Sequence, residues 1–287
     1  MTLEQILQNT SLKPKEALIL LSFLIKKPLA ALLAHTEVTV NPNDYKRYKT
    51  LEKKRLAGWS LAVLIGQKEF YGLNFKVNQH VLIPRPETEL LVDDSLKLIN
   101  NKIDQEPLTI IDLGTGSGAI IITLANELQK YNLPLFKKIN FLASDISATA
   151  LKIARQNTKN HSLIKKITFY QGDLLAPFKN KLKDQNIIIT ANLPYLTARQ
   201  FKNSPSIQKE PRLALISGLD GLKHYRRLFK QLGRTNYCSL TLFCEIDPGQ
   251  KTKIKTLAKK YFPQSQIVIK SDLAGRARLA IIKNQRA

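Results

Sequence analysis

The chain is poor in cysteine, histidine and acid. Two Cys and four His are scattered through 287 residues, and neither type shows the paired spacing of a zinc site, so no metal is expected. Cys238 and Cys244 share one apolar run, YCSLTLFCEI. A disulfide framework is excluded, and both thiols are expected to be buried in a reducing compartment. Long apolar runs are missing as well. The stretches ALIL and FLI around Ser22 stop at Lys26, Lys27 and Pro28, far short of the ~18 residues that a membrane span needs. The start, MTLEQILQNT, has neither a basic leader nor an apolar core. The chain therefore reads as cytoplasmic, with no membrane attachment.

Acids number 22 against 45 Lys and Arg, a formal net charge of +23. Such a surface attracts polyanions at low salt and leaves open weak contact with nucleic acid or the ribosome; a lysine-rich proteome would give the same excess. What is present is a hydrophobic content of 44%, ordinary for a globular protein, in a chain long enough for one large domain and a smaller one.

Residues 1–68 read as a helical domain. KPKEALILLSFLIKK carries apolar residues over most of a helical face, and NPNDYKRYKTLEKKRLAG opens on Asn41 as a cap and Pro42 in the first turn, with Gly58 past the end. The period then changes: EFYGLNFKV alternates around Gly72, the pattern of a β-hairpin, so residues 69–86 read as hairpin and linker. From residue 87 to 287 strands and helices take turns, from LTIIDLG and GAIIITLANELQKY to QIVIKSDL and ARLAIIK. That alternation predicts an α/β fold with a parallel, doubly wound sheet covered on both faces.

IIDLGTGSGAI is a strand, a glycine turn and a helix, where backbone comes close to a ligand because Gly114, Gly116 and Gly118 lack side chains. Gly114, Gly116 and Ala119 also satisfy the loose dinucleotide pattern. Asp112, an acid at the strand end, suits a cationic ligand better than a pyrophosphate. Asp145 ends the next strand and can accept hydrogen bonds from both ribose hydroxyls. Asp173, after the third strand, offers an acceptor to an adenine amine. Each acid alone could be a turn residue or a helix cap; their shared place at the carboxyl edge of the sheet is where open α/β folds bind ligands.

In IIITANLPYL a buried strand ends on Asn192, Leu193, Pro194 and Tyr195. One reading is a turn; the other is a site that grips a planar NH2 group. A conjugated nitrogen is a poor nucleophile, and methylating it requires both N–H bonds to be held with the lone pair presented at ~3–3.5 Å. The Asn192 side-chain oxygen and the Leu193 carbonyl can accept those hydrogens, Pro194 stiffens the turn, and Tyr195 lays a ring against the group. Adenine amines and glutamine amides both fit.

The acids and glycines together resemble the S-adenosylmethionine site of Rossmann-like class I methyltransferases. In order along the chain, VLIPRPETELLVD, IIDLGTGSGAI, ANLPYL, EPRLAL with DGL, and EIDPGQ resemble the bacterial release factor glutamine methyltransferases from about Gly66 to the end. The resemblance implies a methyl transfer from S-adenosylmethionine to the glutamine amide of the Gly-Gly-Gln loop in peptide-chain release factors. It also implies that the helical N-terminal domain docks that partner. The cofactor would be held by Asp112, Gly114, Thr115, Gly116, Ser117 and Gly118, then by Asp145, Asp173, Leu174 and Asn192. Asn192, Pro194 and Tyr195 would be catalytic, with Leu193 and Arg85 completing the substrate site. The family usually has Pro where Leu193 stands, and Asn-Leu-Pro-Tyr is similar to the ribosomal RNA adenine dimethylases. The alternative is therefore an RNA or DNA adenine methyltransferase; a non-catalytic adaptor is disfavoured by the intact Asn192 and glycines.

Remaining residues divide less sharply. Arg85, held extended between Pro84 and Pro86, either walls the pocket or only links two domains. Glu210 either orients a substrate loop or pairs with Arg212 or a nearby Lys. Glu245 either faces the pocket or belongs to a helix cap in EIDPGQ. His35, His80, His161 and His224 lie outside every motif and are expected on the surface or in packing.

Overall fold

The computed structural model of the protein describes residues 1–101, 108–179 and 181–285. The chain opens with helices α1 (Leu3–Gln8), α2 (Pro14–Ile25), α3 (Leu29–Ala34), α4 (Pro42–Leu56) and α5 (Leu61–Ile65). α4 starts as its sequence predicts: the Asn41 side chain accepts from Asp44 N at 2.8 Å, Pro42 occupies the first turn, and Gly58 turns away at φ +90°. These helices enclose a core of their own, including Leu3, Leu20, Leu21, Leu32 and Tyr48. Glu52, buried on α4, stitches it to the loop after α1 by accepting from Thr10 Oγ1 (2.6 Å) and Ser11 N (3.0 Å).

The hairpin forms from β1 (Gln67–Phe70) and β2 (Leu73–Lys76) around Tyr71 and Gly72, both at positive φ. A buried side chain helps fix it to the rest of the protein: Asn157 accepts from Lys76 N (2.7 Å) and donates to Lys76 O (3.0 Å) and Ser117 O (2.8 Å); Tyr71 adds bonds from its N–H to Glu89 and from its hydroxyl to Asp93.

After α6 (Glu89–Asn100) come β3 (Leu108–Leu113), α7 (Ala119–Tyr131), α8 (Leu133–Lys138), β4 (Asn140–Asp145), α9 (Ala148–Asn160), β5 (Ile167–Gln171) and β6 (Asn186–Ala191). α10 (Ala198–Lys202), α11 (Lys223–Leu232), β7 (Ser239–Glu245), α12 (Lys251–Tyr261), β8 (Gln266–Ser271) and β9 (Ala277–Gln285) complete the chain. The large sheet has 7 strands in the order β5-β4-β3-β6-β7-β9-β8. Alternate residues feed opposite faces: Ile110 and Ile188 pack with α6 and α7, whereas Ile111, Ile187 and Ile189 pack with α11 and α12.

The sheet is not parallel throughout. β5, β4, β3, β6 and β7 are parallel, but β9 runs antiparallel between β7 and β8. The cause is the 272–276 connection, too short for a crossover, which must return as a hairpin. Asp272 holds that turn by accepting from Ala274 N and Arg276 N. The thiols also differ from expectation: Cys244 is buried in β7, but Cys238 is exposed, because it precedes the strand and its pleat. Among the described residues no helix is long and apolar enough to cross a membrane, and no group of His, Cys, Asp and Glu could hold a metal.

Candidate active site

The strand order reverses at β3. β4 lies on one side and β6 on the other, and Leu113 pairs with Ala191. The chains leaving those strand ends, Gly114 onward and Asn192 onward, therefore depart side by side, which opens a crevice at the carboxyl edge. The glycine turn is built for close approach. Gly114 and Gly116 have φ of +66° and +56°. A Cβ on Gly114 would meet Leu193 Cδ2 at 3.1 Å, whereas one on Gly116 would enter nearly open space. Gly118 has a different job, since a Cβ there would meet Ile122 Cδ1 at 2.8 Å and Ala154 at 3.3 Å; it lets α7 pack closely on α9.

Two acids brace this turn. Asp112 is buried and accepts from Thr115 Oγ1 at 2.6 Å and Thr190 Oγ1 at 2.8 Å; burial pushes its carboxyl up to about 7 against those bonds. Asp145 accepts from Gly116 N at 2.9 Å and Ser147 N at 2.8 Å, one on each oxygen, and burial raises it too. A carboxylate has about four acceptor positions, so Asp145 keeps lone pairs for a ligand.

At the neighbouring strand end, Asn192 Nδ2 donates to Thr88 Oγ1 at 3.1 Å. Asn192 Oδ1 is buried and has no hydrogen-bond partner, the state of an acceptor that awaits one. The Tyr195 hydroxyl turns away and donates to Glu245 Oε1 at 3.2 Å. Burial pushes the Glu245 carboxyl up to about 7, against the hydrogen bond from Tyr195. The Asn192 turn is locked from behind: Gln250 Nε2 donates to Tyr195 O (2.9 Å) and Asp220 O (3.2 Å). Asp247 and Gln250 also form a capping box ahead of α12, so the cap in EIDPGQ belongs to these two residues and Glu245 stands apart from it.

A cavity of about 620 Å³ lies over these strand ends. Of the residues singled out from sequence, Gly114, Gly116, Asp145, Asp173, Leu174, Asn192, Leu193 and Pro194 line it. Asp112, Thr115, Ser117 and Gly118 stand behind the wall as its frame, and Tyr195 faces Glu245. Asp173 has one oxygen engaged by Arg227 of α11. Leu174 takes φ +55°, and its carbonyl accepts from Ser144 Oγ at 2.8 Å.

His80, exposed at the surface, and the half-buried His224 also line the cavity, a place that no motif marked. Burial, then the Arg227 charge, hold the His224 imidazole below its usual range. Glu210 pairs with Arg85, and Arg212 instead stacks over Phe201 at 5.4 Å. Arg85 is thus spent on Glu210 and is absent from the cavity wall. Thr88, the partner of Asn192, and Asn157 were legible only as a helix-start threonine and a helix residue.

Residues 104–255 match a family model described as a methyltransferase domain. The release factor glutamine methyltransferase of Bacillus cereus is 34% identical over 263 residues, 91% of this chain and 89% of that protein. That of Coxiella burnetii is 36% identical over 284 residues, 98% and 96% of the two chains. Among solved structures, the N-terminal domain of human METTL16 in complex with SAH superposes with a TM-score of 0.52 at 15% identity, over 93% of this chain and 94% of that one. That likeness concerns the fold alone, the expected Rossmann-like methyltransferase sheet.

Proposed function

The chain belongs to the release factor glutamine methyltransferase family, and from that premise we propose that it transfers a methyl group to the side-chain amide of a release-factor glutamine, the one in the Gly-Gly-Gln loop. The observation that carries this reading is Asn192 Oδ1, a buried acceptor without a partner on the wall of the cavity.

The chain's residues fit S-adenosylmethionine. The side-chain-free face of Gly116 and the spare lone pairs of Asp145 make a cradle for a ribose and its neighbours. Mainly apolar residues such as Leu174 and Ile146 line the wall beyond Asp145, where an adenine ring would lie. When bound, S-adenosylmethionine supplies an electrophilic methyl group on a sulfonium sulfur. Asn192 Oδ1 and the Leu193 carbonyl accept the two hydrogens of the glutamine amide, which turns the nitrogen lone pair toward the methyl donor. Pro194 stiffens the turn that aims the Leu193 carbonyl. Asn192 and Asp145 share one cavity, so the acceptor of the amide and the holder of the donor lie on one wall system.

The α1–α5 unit has its own core and none of the reactive residues, which supports a docking role toward the release factor. The test is incubation of purified protein with labelled S-adenosylmethionine and either a release factor or ribosomal RNA. Label on the release-factor glutamine is expected; label on RNA alone, or on neither, overturns the reading.

A further inference from the structure

We propose that Arg227 of α11 makes the cavity selective for adenine, by holding the Asp173 carboxylate where it accepts from the exocyclic amine of the base. This rests on the reading above that the cavity holds S-adenosylmethionine.

The order of the strand ends decides where the base lies. β5, β4, β3 and β6 stand side by side in that order, and the chain leaving them brings Asp173, Asp145, Gly114 and Asn192 to the cavity. With the reacting nitrogen at Asn192 and the ribose at Asp145, the base falls at the far end, beside Asp173.

The turn that carries Asp173 is held from several sides. Gly172 admits no side chain, since a Cβ there would run into the Pro177 ring. Leu174 takes φ +55°, a conformation that is unfavourable for a residue with a Cβ and persists only where neighbours impose it. Here they do: Gly172 N donates to Asp145 O at 3.0 Å, Ser144 Oγ to Leu174 O at 2.8 Å and Leu175 N to Gln231 Oε1 at 2.9 Å. Gln231 Nε2 also reaches Asp173 O at 3.4 Å. Gln231 stands one helical turn after Arg227, so the two share a face of α11, and Arg227 takes Asp173 Oδ2. α11 thus grips this turn twice, once by its backbone and once by its carboxylate.

The second grip is the one that selects. A carboxylate accepts and never donates, and a guanidinium only donates. Arg227 engages Oδ2 and leaves Oδ1 for a ligand. An adenine amine brings hydrogens to that place, whereas the carbonyl of hypoxanthine would set a second acceptor against the first. The pair is partly open to water, with 44% of the Arg227 and 29% of the Asp173 side chain exposed, so it adds little to the stability of the fold. Its effect is on orientation: without Arg227, the Asp173 side chain is free to turn among its rotamers. Arg227 is therefore a positioning residue that acts through Asp173.

The test is calorimetry on the full chain with S-adenosylhomocysteine and its 6-oxo analogue, S-inosylhomocysteine. Wild type is compared with Arg227→Met, Arg227→Lys, Asp173→Asn and the pair Arg227→Met with Asp173→Asn. Wild type is expected to bind the adenine ligand at least about tenfold more tightly, because a site built to bond an amine rejects the analogue without it. Arg227→Met should reduce that preference to about threefold or less at a nearly unchanged Tm, and Arg227→Lys should keep more of it. Asp173→Asn should lose the preference too, since its amide can donate to a carbonyl. In that background Arg227→Met should change nothing further, because the two residues act as one unit. Equal binding of both ligands by wild type, a full preference in Arg227→Met, or a preference that changes again in the double variant overturns the proposal. Should Arg227→Met not fold, a full preference in Asp173→Asn does so. The assay needs no release factor, so the two readings fail separately. A wild type that discriminates as expected but does not methylate release factor supports the role of Arg227 and overturns the functional reading; a wild type that binds neither ligand overturns both.

Discussion

Arg85 and Glu210 form an ion pair across 125 positions of sequence. The second Glu210 oxygen accepts from Ile83 N at 3.2 Å. One buried carboxylate thus ties the segment entering α6 to the loop whose Pro211, Leu213 and Ala214 wall the cavity. Glu210→Gln keeps an acceptor for Ile83 but removes the charge beside Arg85. The expected cost is about 1–3 kcal/mol of stability, read from the midpoint of urea unfolding; an unchanged midpoint would mean that the pair contributes nothing.

Asn192→Ala should lower single-turnover methylation by roughly 10²-fold or more at saturating cofactor, the scale of lost positioning. Asn192→Asp keeps the size but puts a carboxylate near the sulfonium. It stabilises the cationic ground state more than a transition state in which that charge is dispersing. Cofactor binding should survive while turnover falls. Full activity in Asn192→Ala would reduce Asn-Leu-Pro-Tyr to a turn.

Leu193→Pro separates chemistry from stability. The carbonyl remains, and the residue before a proline prefers extended backbone, so turnover should persist. The variant loses the buried Leu193 side chain that packs beside Gly114. Stability should drop by about 1.5–3 kcal/mol, seen as a lower Tm. Loss of turnover in a folded variant would show that Leu193 selects the substrate.

Asp145→Ala removes the acceptor proposed for the ribose. Hydrogen bonds to a charged group are worth roughly 1.5–3 kcal/mol, so affinity for S-adenosylmethionine should weaken at least about tenfold. Calorimetry decides, and unchanged affinity would remove Asp145 from the cofactor site.

Glu245 should leave a mark on stability against pH. Its folded carboxyl titrates at about 7 against an ordinary 4.5. Between those values the folded chain holds a proton that the unfolded chain has lost, so stability falls as pH rises through this window and has lost the full amount above about 7. The shift corresponds to roughly 3 kcal/mol. Asp112, also raised to about 7, acts in the same direction. Glu245→Gln should match wild type near pH 4.5, be more stable than wild type at pH 8, and show a shallower decline between the two. Parallel curves in thermal melts would contradict the burial of an ionisable Glu245.

The sequence by itself determined the elements that depend on near neighbours. The Asn41 cap, the hairpin at Gly72, the glycine turn at 114–118 and the strand that ends on Asn192 each follow from local backbone chemistry and periodicity. Asp145 and Asn192 were legible as candidate site residues because each stands at a strand end, and both line the cavity. Tertiary structure alone decided what meets across long separations. The 272–276 connection reads as a turn, yet only strand pairing inserts β9 antiparallel beside β7. His80 and His224 carry no motif and reach the cavity because the segment ahead of α6 and the first turn of α11 come together over the switch between β3 and β6. Glu210 finds Arg85, and Thr88 finds Asn192, for the same reason: a side chain's partner is set by which strand ends the sheet order brings together, and that order is written in no single stretch of sequence.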